Sequence, residues 1–159
     1  MPLTIALNQS DIHTLNLTPA TAVLEPLLES QAAFEPATQI TFAIDYPRDP
    51  SDPRELSEIP EIRLWFIRLD TIYPWIPLLL HWEAGELGRY AAMLVPHQFS
   101  PREGIRYNPE ALEIFVMHKI FSITQWMSQR SFEGHSKLKL MTQMLGYELD
   151  DSLFNLLSP

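Results

Sequence analysis

The chain contains no cysteine, and that one absence removes disulfides, thiol nucleophiles and thiolate metal sites together. Glycine is scarce, five in 159 residues, so little backbone is free to wrap a pyrophosphate, and neither a Gly-rich phosphate loop nor a G-x-S-x-G elbow occurs. There is no H-E-x-x-H, and the histidines at 13, 81, 97, 118 and 135 never stand three or four apart. We therefore expect no metal, no cofactor and no catalytic residue. No run of eighteen apolar residues exists, so no membrane span is expected. The opening MPLTIALNQSD has neither a basic stretch nor a long apolar one, so work in the compartment of synthesis is expected. Lysine is absent before Lys119, and the net charge of −9 repels phosphate backbones, so nucleic acid is not an expected partner.

What is present fits one domain over 1–159, with a hydrophobic fraction of 46%. Thr4–Leu7 reads as an edge strand. Thr18-Pro19 starts a helix through Ser30 that Pro26 should kink. Residues 39–46 alternate as a half-buried strand, 62–70 alternate with both faces apolar as a central strand, and 90–95 make a third. Loops rather than regular crossover helices are expected to join them, which favours an antiparallel or mixed sheet. A short helix is expected over 74–82, ended near Gly85. Tyr46-Pro47 and Tyr73-Pro74 are both open to the cis form.

Asn108-Pro109 then caps the strongest element, a helix to about Arg130. Leu112, Val116, Ile120, Ile123, Trp126 and Met127 form its apolar arc, and His118, Ser122, Gln125 and Gln129 a narrow polar face. Two further helices follow over 136–145 and 150–157. The fold class is thus α+β: a small, mostly antiparallel sheet packed against one long helix, with shorter helices at both ends. Glu113 and Lys119 fall among apolar residues of the long helix. Glu113 is expected to pair with an arginine from the sheet, and Lys119 to snorkel outward.

The stretch DYPRDPSDPRELSEIPE (45–61) is the most unusual. Pro47, Pro50 and Pro53 recur every third residue, the polyproline II period, so Tyr46–Arg54 should be extended and stiff. Asp45, Asp49, Asp52, Glu55, Glu58 and Glu61 against Arg48 and Arg54 leave it net −4. Two readings stand side by side: a solvated connection between strands, or a docking surface for a basic partner that loses little entropy on binding.

The runs ITFAIDYPRDPSDPRELSEIPEIRLWFIRLDTIYPW and GRYAAMLVPHQFSPREGIRYNPEALEIFVMHKIF resemble the chlororespiratory reduction six family of cyanobacteria and chloroplasts. The resemblance covers residues 38–130 closely and extends more loosely through LKLMTQMLGYELDD. It implies an assembly factor for the photosynthetic NADH-dehydrogenase-like complex, soluble and stromal in chloroplasts. The opening does not read as a transit peptide, so for this chain the resemblance implies a cyanobacterial member in the cytoplasm. It also implies a link to maturation of the I subunit, a ferredoxin-like protein that carries iron–sulfur clusters. No catalytic motif comes with the family. Positions expected to meet the partner are Tyr46, Arg48, Asp49, Asp52, Arg54, Glu55, Glu58, Tyr73, Trp75 and His97. Two rivals remain: a small hydrolase-like enzyme in which His97 meets Glu113 or an arm acid, and a structural subunit that stays in the complex.

Overall fold

The first strand forms over the expected short run: β1, Leu3–Asn8, buries Ile5 and Leu7 and turns Thr4 and Ala6 outward. The computed structural model describes residues 2–157. β1 passes directly into α1, Gln9–His13. There the Asn8 side chain accepts from the Asp11 N–H at 2.9 Å, and the Asp11 carboxylate accepts from the Asn8 N–H at 3.1 Å. α2, Thr18–Glu29, begins at the Thr-Pro pair with Leu17 as its cap residue and runs three residues past Pro26.

β2, Ile40–Asp45, pairs with β1 in parallel, Leu3 opposite Ile40 and Asn8 opposite Asp45. The expected antiparallel sheet is therefore corrected. The connection from β1 to β2 carries α1 and α2, and a parallel pair needs such a long crossover. The second sheet is an antiparallel hairpin of β3, His97–Ser100, and β4, Gly104–Tyr107. His97 thus opens a strand instead of following one.

Two expected strands are helices: α3, Pro60–Ile72, and α4, Glu86–Leu94. In α3 the buried residues are Ile62, Trp65, Phe66 and Leu69, an i, i+3, i+4, i+7 set, and Pro60 stands at the first helical position. The two apolar "faces" read from alternation are one helical arc plus the exposed Leu64 and Ile67. Residues 74–82 form two short 3-10 turns, Ile76–Leu79 and Trp82–Ala84, instead of one helix. Gly85, at φ 80°, makes the left-handed step between the second turn and α4. Among the described residues no peptide bond is cis.

α5, Pro109–Gln129, spans 21 residues, and the Asn108 side chain accepts from the N–H groups of Glu110 and Ala111. It does not back the sheet. Its main helical neighbours are α6, His135–Met144, and α7, Asp151–Leu157, and Lys119 links it to α3. Ile114, Met117 and Phe121 on its outer side are exposed, so it is less of a core spine than its composition suggests. The helix against β2 is α3: Phe42 meets Trp65 and Phe66 edge-on, with centroids 6.4 and 4.9 Å apart.

Lys119 corrects another expectation, since its side chain is 0% exposed and does not snorkel. It ion-pairs with Asp70 and donates to the Pro74 carbonyl at 3.0 Å, while the Tyr90 hydroxyl donates to the same Asp70 carboxylate at 2.6 Å. Glu113 is exposed on α5. One buried apolar cluster runs from Ile5 to Phe154 and draws on all seven helices.

Candidate functional site

The acidic arm leaves β2 at Tyr46, whose hydroxyl lies 2.9 Å from His13 Nε2 with the two rings edge-on. It is not extended through Arg54. A turn closes at Asp49-Pro50-Ser51-Asp52, where the Asp52 N–H donates to the Asp49 carbonyl at 2.9 Å. Asp at the first and Pro at the second position suit such a turn, and this local signal outweighs the three-residue proline period. The Asp49 carboxylate accepts from the Ser51 N–H (2.8 Å) and hydroxyl (2.6 Å). The Arg48 guanidinium donates across the loop to the Arg54 carbonyl, and Arg54 pairs with Asp52 at 2.9 Å. Further on, the Glu55 N–H donates to the Glu58 carboxylate at 2.8 Å. Much of the arm's polar chemistry is thus turned inward on the loop itself.

The Arg54 side chain and N–H beside Asp52 hold its carboxyl down at about 2, and Ser51 lowers Asp49 in the same way. A lowered acid contributes stability that is present above its unfolded pKa and is lost as pH falls from about 4 to about 2. Carboxyl NMR titration should place the Asp52 midpoint near 2. Arg54→Gln should move it up towards the ordinary range of about 3.9. A midpoint unmoved by that substitution would show that Arg54 does not set it.

His97 is tied inward. Its Nδ1 lies 3.1 Å from the Val95 carbonyl, which only accepts, so Nδ1 carries the proton. In the neutral ring Nε2 then accepts from the Ser57 hydroxyl at 2.9 Å. A serine–histidine contact is within the reach of an activated nucleophile. Here, however, the ring's other nitrogen meets a carbonyl, and no carboxylate is among the ring's hydrogen-bond partners. The expected encounter of His97 with Glu113 or an arm acid does not occur. The contact pins the arm's 3-10 turn, Leu56–Glu58, to the hairpin. The Tyr107 hydroxyl in turn donates to the Gly88 carbonyl of α4 at 2.6 Å, and burial pushes its pKa up to about 12.

Arm, hairpin and α4 together enclose a cleft of about 410 Å³ beside β2. Phe42, Ile44, Leu56, Met93, Phe99 and Ile105 make it apolar, and Arg48, Arg89 and Glu55 line it as well. Its floor is the outer edge of β2. The Leu3 N–H donates to the Gln39 carbonyl at 2.7 Å, so odd-numbered residues of β2 face β1 and Ile40, Phe42 and Ile44 aim their backbone groups outward. The Ile40 carbonyl accepts from the His81 N–H at 2.9 Å in a single bridge. The Phe42 N–H donates to the Glu86 carboxylate at 3.3 Å, and Glu86, 2% exposed, is itself paired with Arg89. Beyond that, the Phe42 carbonyl and the Ile44 N–H and carbonyl have no hydrogen-bond partner among the described residues.

Of the residues singled out in the sequence, Arg48 and Glu55 line this cleft, and Tyr46 and His97 brace its walls. Tyr73 and Trp75 are buried elsewhere. The Tyr73 hydroxyl donates to Glu25 at 2.8 Å, and Trp75 stacks on Trp126 at 4.9 Å beside a larger cleft of about 760 Å³. Sequence reasoning missed Phe42, Ile44, Glu86, Arg89, Phe99 and Ile105. Alternation identified β2 as a strand, but no local signal says which of its edges is left open.

Among the described residues no helix is long and apolar enough to cross a membrane, and no three His, Asp or Glu side chains could hold a metal ion together. No solved structure matches the chain. The family described as chlororespiratory reduction 6 matches residues 7–156, nearly the whole length, and the protein belongs to that family.

Proposed function

We propose that this protein is a soluble, cytoplasmic assembly factor that binds the ferredoxin-like iron–sulfur I subunit while the photosynthetic NADH-dehydrogenase-like complex matures. Membership of an assembly-factor family across residues 7–156 carries the reading. The chemistry supports it. Without cysteine the chain offers no thiolates to a cluster, so its role is to hold a partner while clusters are loaded by others. The β2 cleft, apolar and flanked by an acidic arm, supports binding: open backbone groups of β2 line it, and the serine–histidine contact at its wall, Ser57 with His97, ends on the Val95 carbonyl and not on a carboxylate.

Affinity capture of the tagged chain from cyanobacterial cells, with mass spectrometry of what accompanies it, tests the proposal. The expected result is recovery of the I subunit without the membrane arm. Stoichiometric recovery with the mature complex would replace the assembly factor by a resident subunit. Recovery of nothing from that complex would overturn the proposal.

A further inference from the structure

We propose that the outer edge of β2 receives an extended segment of a partner protein as a third strand, with alternate apolar side chains seated in the cleft and lysine or arginine flanking them. The inference deepens the assembly-factor reading and rests on it for the source of the partner. Its physical basis is an unfinished sheet. Two strands alone are marginal in water, and a free edge invites pairing unless it is covered. The cover here is partial. Leu80-His81 protects Ile40 through one bridge and then turns away into the Trp82–Ala84 turn. The Glu86 carboxylate takes the place of a strand carbonyl for the Phe42 N–H. From the Phe42 carbonyl to the end of the strand at Asp45 the edge is open.

Packing points the same way. In the register of the parallel pair, Ile5 stands opposite Phe42 and Leu7 opposite Ile44, so each pair shares one face of the sheet. Ile5 and Leu7 are 1% and 2% exposed, yet Phe42 and Ile44 are only half-buried. The face is therefore finished on the β1 side and open on the β2 side, where the 410 Å³ cleft lies. Phe99, 47% exposed, stands at the cleft as an unfilled wall. Outward-facing N–H and C=O groups in strand geometry are complementary to an extended backbone, and the pockets beside them choose its side chains.

Charge selects the occupant. Within the cleft Arg89 is paired with Glu86 and Arg48 is engaged with the Arg54 carbonyl. The arm that leads away from the open edge is net −4 and the chain −9. A second copy would bring an identical acidic arm against the first, whereas a basic-flanked segment is attracted.

The test uses the full chain and two probes: a synthetic alternating Val/Thr peptide flanked by lysines, and the purified soluble subunits of the complex. Amide exchange is followed at Ile44. The expected result is that the peptide binds and slows exchange at Ile44. Glutamate flanks or the variant Phe99→Asp should each weaken binding about tenfold, the scale of losing a buried anchor. Phe99 is exposed, so the variant should leave the unfolding midpoint unchanged, which separates lost binding from lost folding. Binding of neither peptide nor subunit at the edge overturns the inference, as does protection of Ile44 by self-association without either probe. A subunit that binds while Ile44 exchanges freely overturns the edge and keeps the assembly-factor reading. A peptide that protects Ile44 while no subunit binds keeps the edge and overturns that reading.

Discussion

Lys119→Ala is expected to lower folding stability by about 3–5 kcal/mol, because it strands the largely buried Asp70 carboxylate without the cation that pairs with it. The ammonium is held between Asp70, the Pro74 carbonyl and the Phe115 ring, 5.6 Å from the ring centroid. Asp70 also receives the Tyr90 hydroxyl, so the three groups join α3, α4 and α5 at one point. Burial lowers the Lys119 pKa against the opposing pull of Asp70, and burial raises that of Tyr90. Between the depressed value of Lys119 and its ordinary 10.5 the unfolded chain binds the extra proton, so this group makes stability rise with pH in that window. Tyr90 acts the other way above about 10, where the folded state keeps its proton and the unfolded state loses it. Urea unfolding is the measurement. The double variant Lys119→Met with Asp70→Asn should recover more than half of the loss, since it leaves no unpaired charge and keeps an acceptor for Tyr90. A loss below about 1 kcal/mol for Lys119→Ala would place the pair in the class of exposed ion pairs and refute the burial argument.

Trp65→Ala should cost a similar amount, about 3–5 kcal/mol, while Leu64→Ala beside it should stay within about 0.5 kcal/mol. Trp65 is fully buried at the centre of α3, packs on Phe42 and Phe66, and donates from Nε1 to the Asn16 carbonyl at 2.9 Å. That bond fixes the connection between α1 and α2, where Leu15 holds a left-handed φ of 52°. Leu64 is 51% exposed. The comparison discriminates between two structures of the same run. A strand would make Leu64 and Phe66 equally sensitive, and a helix makes Trp65, Phe66 and Leu69 sensitive and Leu64 indifferent. Thermal unfolding of Leu64→Ala, Trp65→Ala and Phe66→Ala reads the period directly. Equal losses at 64 and 66 would contradict the helix.

The sequence by itself determined whatever depends on near neighbours or on residue identity. Absent cysteine excluded thiolate chemistry at once. The Asn108-Pro109 cap and the long apolar arc placed α5, the Thr18-Pro19 pair started α2, a short apolar run placed β1 and alternation placed β2. The quoted runs of the arm and of 88–121 were enough to indicate the family. The tertiary structure decided the rest, because the deciding contacts are distant in the chain. Ile62–Asp70 is apolar at both periods, and only packing against Phe42 and α4 selects the helical arc. Lys119 is an ordinary helix cation until Asp70, 49 residues away, meets it inside the core. Parallel pairing, the closed arm and the open edge of β2 likewise exist only once segments far apart in sequence stand side by side. Periodicity and caps report each residue's own turn or strand, whereas an empty seat belongs to several segments at once.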